Sequence, residues 1–149
     1  MSPADPLQFR GLSVTAAQLN ALSEGRLPDH LGIRVESVSA SEVRATMAVG
    51  RHLSAPNGFL HGGALVSLAD TACGNGCIAN LPAQASGFTT IELKSNHLAT
   101  AADGHVDCVA TPAHLGRTTQ VWDAVITHRE SGRTLALFRC TQMVLYPKA

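Results

Sequence analysis

The 149-residue sequence predicts an α+β domain in which one antiparallel β-sheet wraps a central buried α-helix. Three observations carry that reading. From Gly63 to Ala79, small and apolar residues run on every helical face, and a helix apolar all round is a buried one. Two alternating segments precede this stretch and four strand candidates follow it, so the sheet has an inner face that needs cover. Turn signals separate the last four strands: Asp103-Gly104, His114-Leu115-Gly116 and Glu130-Ser131-Gly132.

Taken in chain order, residues 1 to 11 carry Pro3 and Pro6 among polar residues and read as a loose arm. From Ser13 to Glu24 the spacing of Val14, Leu19 and Leu22 predicts a short helix, capped by Ser13 and ended by Gly25. The arm and this helix make up an N-terminal segment, 1–29, ahead of the main domain, 30–149. Ile33 to Ser39 and Glu42 to Val49 alternate apolar with polar and are joined by Ala40-Ser41, which predicts an antiparallel hairpin. Pro56-Asn57-Gly58 then breaks the chain before the central helix, which Pro82 ends. The remaining strands are predicted at Phe88 to Leu98, His105 to Thr111, Thr118 to Thr127 and Thr134 to Leu145.

Composition excludes several classes of function. Formal charge is zero and the isoelectric point is near 7, so no electrostatic footprint for nucleic acid or an anionic membrane surface is present. Charged residues are only 15% of the chain, against the ~25% usual in soluble domains, which points to surface covered by further copies of the chain. A homodimer or homotetramer is expected. No apolar run is long enough to span a bilayer. Cys73, Cys77, Cys108 and Cys140 sit in apolar runs with no signal segment ahead of them, as reduced thiols of a cytoplasmic protein would. Cys73 and Cys77 share a helix face with i, i+4 spacing, but with His61 they do not complete a metal-ligand set, so they read as core and no metal is expected.

Between Arg51 and Glu92 lie 40 residues, and Asp70 is the only Asp, Glu, Lys or Arg among them. Asp is a poor helix former and is seldom buried unpaired. Either it bonds to Thr71, Asn75 or a backbone amide, or it looks out of an otherwise buried helix, or it is a carboxylate whose pKa desolvation raises for catalysis. His61-Gly62-Gly63 opens the same helix. Glycines there serve a tight turn, and they also let a ligand reach the N–H groups at the positive end of the helix dipole, which can hold an oxyanion.

Gly63 and Asp70 are seven residues apart, on nearly one face but about 10 Å apart along the axis at 1.5 Å per residue. A donor and a nucleophile must both reach one carbonyl group. One helix cannot do this with these two groups. Two helices antiparallel across a twofold axis can, so the site is expected to be shared between subunits.

Leu60-His61-Gly62-Gly63-Ala64 followed by Leu68-Ala69-Asp70 resembles the signature of the hot-dog thioesterases related to the phenylacetate-pathway and 4-hydroxybenzoyl-CoA enzymes. The likeness runs over about residues 30 to 147 and includes Ser95-Asn96-His97, Leu115-Gly116-Arg117 and Gly132-Arg133. It implies a hot-dog fold and hydrolysis of an acyl-CoA, the substrate, with no cofactor. It further implies Asp70 as nucleophile or general base, the Gly63 amide as oxyanion donor, and His61 as a group that positions the carbonyl or supports the loop. A CoA groove at the subunit boundary is implied too; Gly116, Arg117, Thr118 and Thr119 either meet phosphates there or form an ordinary hairpin turn with a solvated Arg. Gly62 and Asn75 would line the substrate site; Asn96 and His97, one of which strand alternation turns inward, either line it from the partner chain or are a surface pair.

Two departures stand out. Relatives often carry Asn or Gln where this chain has Ala55, with Asn57 the nearest amide. They also often carry Ser or Thr one turn after the acid, where this chain has Gly74; Thr71, Asn75 or a residue of the facing strand is then left to hold the carboxylate. Two alternatives remain at this level. One is a hot-dog hydratase or dehydratase that pairs His61 with Asp70, and the other is a non-catalytic acyl-CoA-binding protein.

Overall fold

The computed structural model describes residues 13–148; the expected arm, residues 1 to 11, lies outside them. Helices α1 (Ala16–Ser23) and α2 (Leu27–His30) lead into the hairpin of β1 (Arg34–Val38) and β2 (Val43–Ala48). A short 3-10 turn, Arg51–Leu53, precedes α3 (Gly62–Ala79), and β3 (Gly87–His97), β4 (His105–Leu115), β5 (Thr119–His128) and β6 (Thr134–Leu145) follow. All six strands form one sheet of order β1-β2-β4-β5-β6-β3, antiparallel at every pairing. The predicted α+β class and the strand-strand-helix-four-strand order are therefore observed.

Strand alternation decides which residues meet α3. Val43, Ala45 and Met47 of β2, Val106, Cys108 and Ala110 of β4, Trp122, Ala124 and Ile126 of β5, and Phe138 and Cys140 of β6 are buried on one face. Against them lie Leu65, Leu68, Ala69, Ala72 and Cys73 of α3, in one continuous core that also takes in Val14 and Leu19 from the N-terminal segment. The small residues of α3 let the sheet approach closely. A Cβ on Gly76 would stand 2.4 Å from Trp122 Cη2. That ring cannot yield, because its Nε1 donates to Gln120 Oε1 at 2.9 Å and Gln120 Nε2 donates to the Asn80 carbonyl at 3.0 Å. Gly76→Ala is expected to cost about 1–3 kcal/mol through overpacking, read as a fall in thermal midpoint.

Several elements differ from expectation for local reasons. The cap of α1 is Thr15, not Ser13: its Oγ1 accepts from Gln18 N–H, and the Gln18 side chain accepts from Thr15 N–H. This reciprocal capping box outcompetes a lone serine two residues earlier. α2 is a single turn opened by Pro28. His114 and Leu115 belong to β4, and the turn expected there falls instead at residues 116–119, closed by Gly116 N–H donating to the Thr119 carbonyl at 2.9 Å.

α3 itself departs from burial on every side. Residues 72–79 are buried all round, but Gly63, Val66, Ser67, Asp70 and Thr71 form a strip along its first half that the chain leaves partly or fully open. No helix among the described residues is long and apolar enough to cross a membrane.

Candidate active site

The loop before α3 is tied at several points. His61 N–H donates to the Leu53 carbonyl, Leu60 N–H to Ala101 and Ala55 N–H to Phe59, at 2.8–2.9 Å. Gly58, at φ +86°, takes the left-handed turn that a side chain would resist. The Asn57 side chain accepts from Phe59 N–H at 3.2 Å, so it serves the turn. An open cleft of about 600 Å³ borders this loop, lined by Arg51, Ser54, Ala55, Pro56, Gly58 and Ala102.

His61 is the N-cap of α3, with extended backbone, and its Nδ1 accepts from Gly63 N–H at 2.8 Å. In the neutral ring Nε2 then carries the proton. This bears on Gly63, the expected oxyanion donor. The Gly63 amide is occupied, whereas the Gly62 amide has no hydrogen-bond partner among the described residues. The His97 ring packs over Gly62, its Cε1 3.2 Å from where a Cβ would lie. Asn96 and His97 are both exposed in the single chain; alternation puts His97 on the sheet face of buried Ala136 and Asn96 on that of exposed Leu137.

Asp70 is half-buried, eight residues after Gly62. Desolvation pushes its carboxyl above the ordinary Asp range, and a hydrogen bond from Thr90 partly offsets the rise. The Thr90 hydroxyl lies 3.1 Å from Asp70 Oδ1. Thr90 belongs to β3, at a β-bulge between Thr90 and Glu92, a distortion that re-aims side chains. The facing strand therefore supplies the hydroxyl missing at Gly74, where the Phe88 ring occupies the space a side chain would need. Thr90 sits opposite Gln142, whose amide is fully buried and touches the same hydroxyl at 2.8 Å.

The other expected residues separate into groups. Asn75 is nine-tenths buried, and its Nδ2 is without a partner among the described residues. Gly116, Arg117, Thr118 and Thr119 form the β4-β5 turn, with the Arg117 side chain exposed. In register, Gln120, Gln142 and Thr90 make one row across β5, β6 and β3. The turn thus lies just beyond the Asp70 end of the sheet, two strands and about 10 Å away. Cys73 and Cys77 are buried thiols whose pKa values burial and thiol neighbours push up, Cys77 to about 12. Among the described residues no cluster of His, Cys, Asp and Glu has the makings of a metal site.

Thr90 and Gln142 were named by no motif. A signal exists for Gln142, the one polar residue in the inward series Ala136, Phe138, Cys140, Gln142, Val144. Thr90 carries none, since threonine in a strand is ordinary.

Residues 57–136 match the model of a family described as the thioesterase superfamily. The chain is 35% identical over 134 residues to the proofreading thioesterase EntH of Cronobacter turicensis, covering 89% of this chain and 95% of that protein. It is also 35% identical over 134 residues to 1,4-dihydroxy-2-naphthoyl-CoA hydrolase of Escherichia coli, covering 89% and 96%. Among solved structures, a mutant of thioesterase PA1618 from Pseudomonas aeruginosa superposes with TM-score 0.85 at 33% identity, covering 93% of this chain and 99% of that one. Thioesterase HI1161 from Haemophilus influenzae gives 0.85 at 30% identity, covering 93% and 95%.

Proposed function

Because the chain belongs to the thioesterase superfamily and has its hot-dog fold, we propose that it hydrolyses an acyl-CoA to the free acid and CoA at a site shared by two subunits. Thioester hydrolysis follows from the family; the substrate and residue roles are the proposal. The observation that carries it is one half-buried carboxylate, Asp70, on the strip that α3 leaves uncovered, on the same helix as one unoccupied helix-start amide, Gly62.

In this reading the thioester carbonyl oxygen accepts from Gly62 N–H, at the positive end of α3, where charge develops as the carbonyl carbon becomes tetrahedral. Asp70 attacks that carbon, or takes a proton from the water that does. Collapse of the tetrahedral species breaks the C–S bond; on the direct route this leaves the acyl group on Asp70 as a mixed anhydride, which water then hydrolyses to the free acid and restores the carboxylate. CoA leaves as a thiolate, which needs no strong general acid. His61 holds the loop by its bond to Gly63 and keeps Nε2–H available, while the Thr90 hydroxyl fixes one Asp70 oxygen. The β4-β5 turn, with Arg117, would take phosphates of the nucleotide.

Gly62 and Asp70 of one chain are about 12 Å apart along the axis at 1.5 Å per residue, so a second chain is required. β3 is an edge strand that touches the open strip of α3 through Thr90 and Asp70, and Ile91 and Leu93 on it, with Leu98 just past its end, are exposed. A second copy docked there would cover both and bring the two helices side by side. The name of the Escherichia coli relative supports an aryl-CoA as one substrate to try. A thiol-release assay over aryl-, short-chain and long-chain acyl-CoAs tests the proposal. Release of CoA with one class, together with Asp70 dependence, supports it. Consumption of enoyl-CoA without thiol release would give the site to the hydratase reading, and binding without turnover across the panel to the binding-protein reading.

A further inference from the structure

A buried polar chain runs from the core to the carboxylate, and its hydrogen count decides how it is arranged. Thr90 Oγ1 has one proton and stands 2.8 Å from Gln142 Oε1 and 3.1 Å from Asp70 Oδ1. With Asp70 ionised both are acceptors, so with the amide oxygen on Thr90 only one of the two receives its proton. The other end of the amide lies 3.4 Å from Cys140 Sγ, and Cys140 is in turn a hydrogen-bond neighbour of Cys73. A half-turn of the amide removes the conflict. Its nitrogen then donates to Thr90, Thr90 donates to Asp70, and its oxygen accepts from the Cys140 S–H, while the Cys140 sulfur accepts from Cys73.

We propose that Gln142, with its amide nitrogen turned to Thr90, is a positioning residue that commits the Thr90 proton to the ionised Asp70. The inference rests on the catalytic reading of Asp70 above. Gln142 is fully buried, on the strand pair where the β3 bulge aims Thr90 at α3. An apolar side chain would fill that core position without the desolvation cost that a buried amide carries, so its polarity needs a use. The titratable groups turned inward around Asp70 are thiols: Cys73 and Cys77 on α3, Cys108 on β4 and Cys140 on β6. Burial raises Cys77 and Cys108 to about 12, and the Cys140 hydrogen bond, with burial, moves Cys73 in the same direction. Glu92 and Lys94 of β3 and Arg139 of β6 project to the opposite face, Asp123 of β5 pairs with Arg139, and His97 sits at Gly62. Within one chain no charged side chain among the described residues faces the carboxylate, so the Thr90 bond is the influence there that lowers its pKa; in the paired site the second copy's helix start, with its His61 and His97 positions, faces it too, and is the same in every variant compared below.

The test compares wild type, Thr90→Val, Thr90→Ser and Gln142→Met by the pH profile of kcat/KM and by 13C titration of the Asp70 carboxyl. Thr90→Val is expected to move the acidic limb upward by about one unit, and Gln142→Met to move it in the same direction, with a further 3- to 10-fold loss at pH 5 relative to pH 8. Thr90→Ser should restore the wild-type limb. A Gln142→Met limb that stays put or moves downward, with Thr90→Val shifted, overturns the proposal and leaves Gln142 as packing. An Asp70 whose removal does not affect turnover sinks the catalytic reading instead, and the 13C titration reads the Thr90 and Gln142 effects independently of it.

Discussion

Asp70→Asn is expected to reduce turnover by on the order of 10³-fold or more while leaving acyl-CoA affinity within a few-fold of wild type. The amide keeps the size and one oxygen of the carboxylate, so the pocket and the Thr90 contact survive, but it neither attacks a carbonyl nor takes a proton from water. The expected split is therefore in kcat. A variant that loses binding and turnover together would make Asp70 a structural residue. The same substitution should stabilise the fold at neutral pH. Burial raises the Asp70 pKa in the folded state, so ionisation is easier in the unfolded chain, and the native state loses stability as pH rises from the unfolded value, about 3.9, through the raised folded one. Asn carries no such cost. Its gain in thermal midpoint should be present at pH 7 and fade toward pH 3. Activity runs the other way, falling as pH drops through the raised pKa, because the reacting form is the carboxylate.

The fold was legible because burial imposes periodicity. The alternation predicts strand β6 with its observed limits, and β2, β3 and β5 to within about a residue, since each must face a core. The N-terminal capping box at Thr15 and the one-turn α2 were harder to see, since a few local hydrogen bonds decide them and no pattern does. At the site, the lone carboxylate in an apolar stretch was visible as a conflict between residue type and surroundings. Which glycine amide stays free was not, because that depends on the rotamer of one imidazole. Thr90 lies 20 residues from Asp70 and 52 from Gln142. Only the β3-β6 register and the bulge bring the three together.

A shared site also makes a prediction about mixtures. Gly62 is the first residue of α3, a position where proline is favoured because the N–H it lacks has no intrahelical partner. His61 before it is extended, at φ −66° and ψ 136°, as a residue preceding proline prefers. A ring carbon at the Cβ position would meet His97 Cε1 at 3.2 Å, a contact that a small rotation of the imidazole relieves. Gly62→Pro is therefore expected to fold and pair normally while removing the oxyanion donor, costing about 10²–10³-fold in kcat. Mixed with Asp70→Asn and allowed to exchange subunits, it should regain activity. Each heterodimer then holds one site with both defects and one site with neither, and random pairing makes half the dimers heterodimers, so about a quarter of wild-type activity returns. If donor and carboxylate came from the same chain, every site in the mixture would carry one defect, and no recovery would be seen at any ratio. The second result would move the reaction centre into a single subunit and require a donor other than Gly62, since 12 Å of helix cannot be closed by side-chain motion.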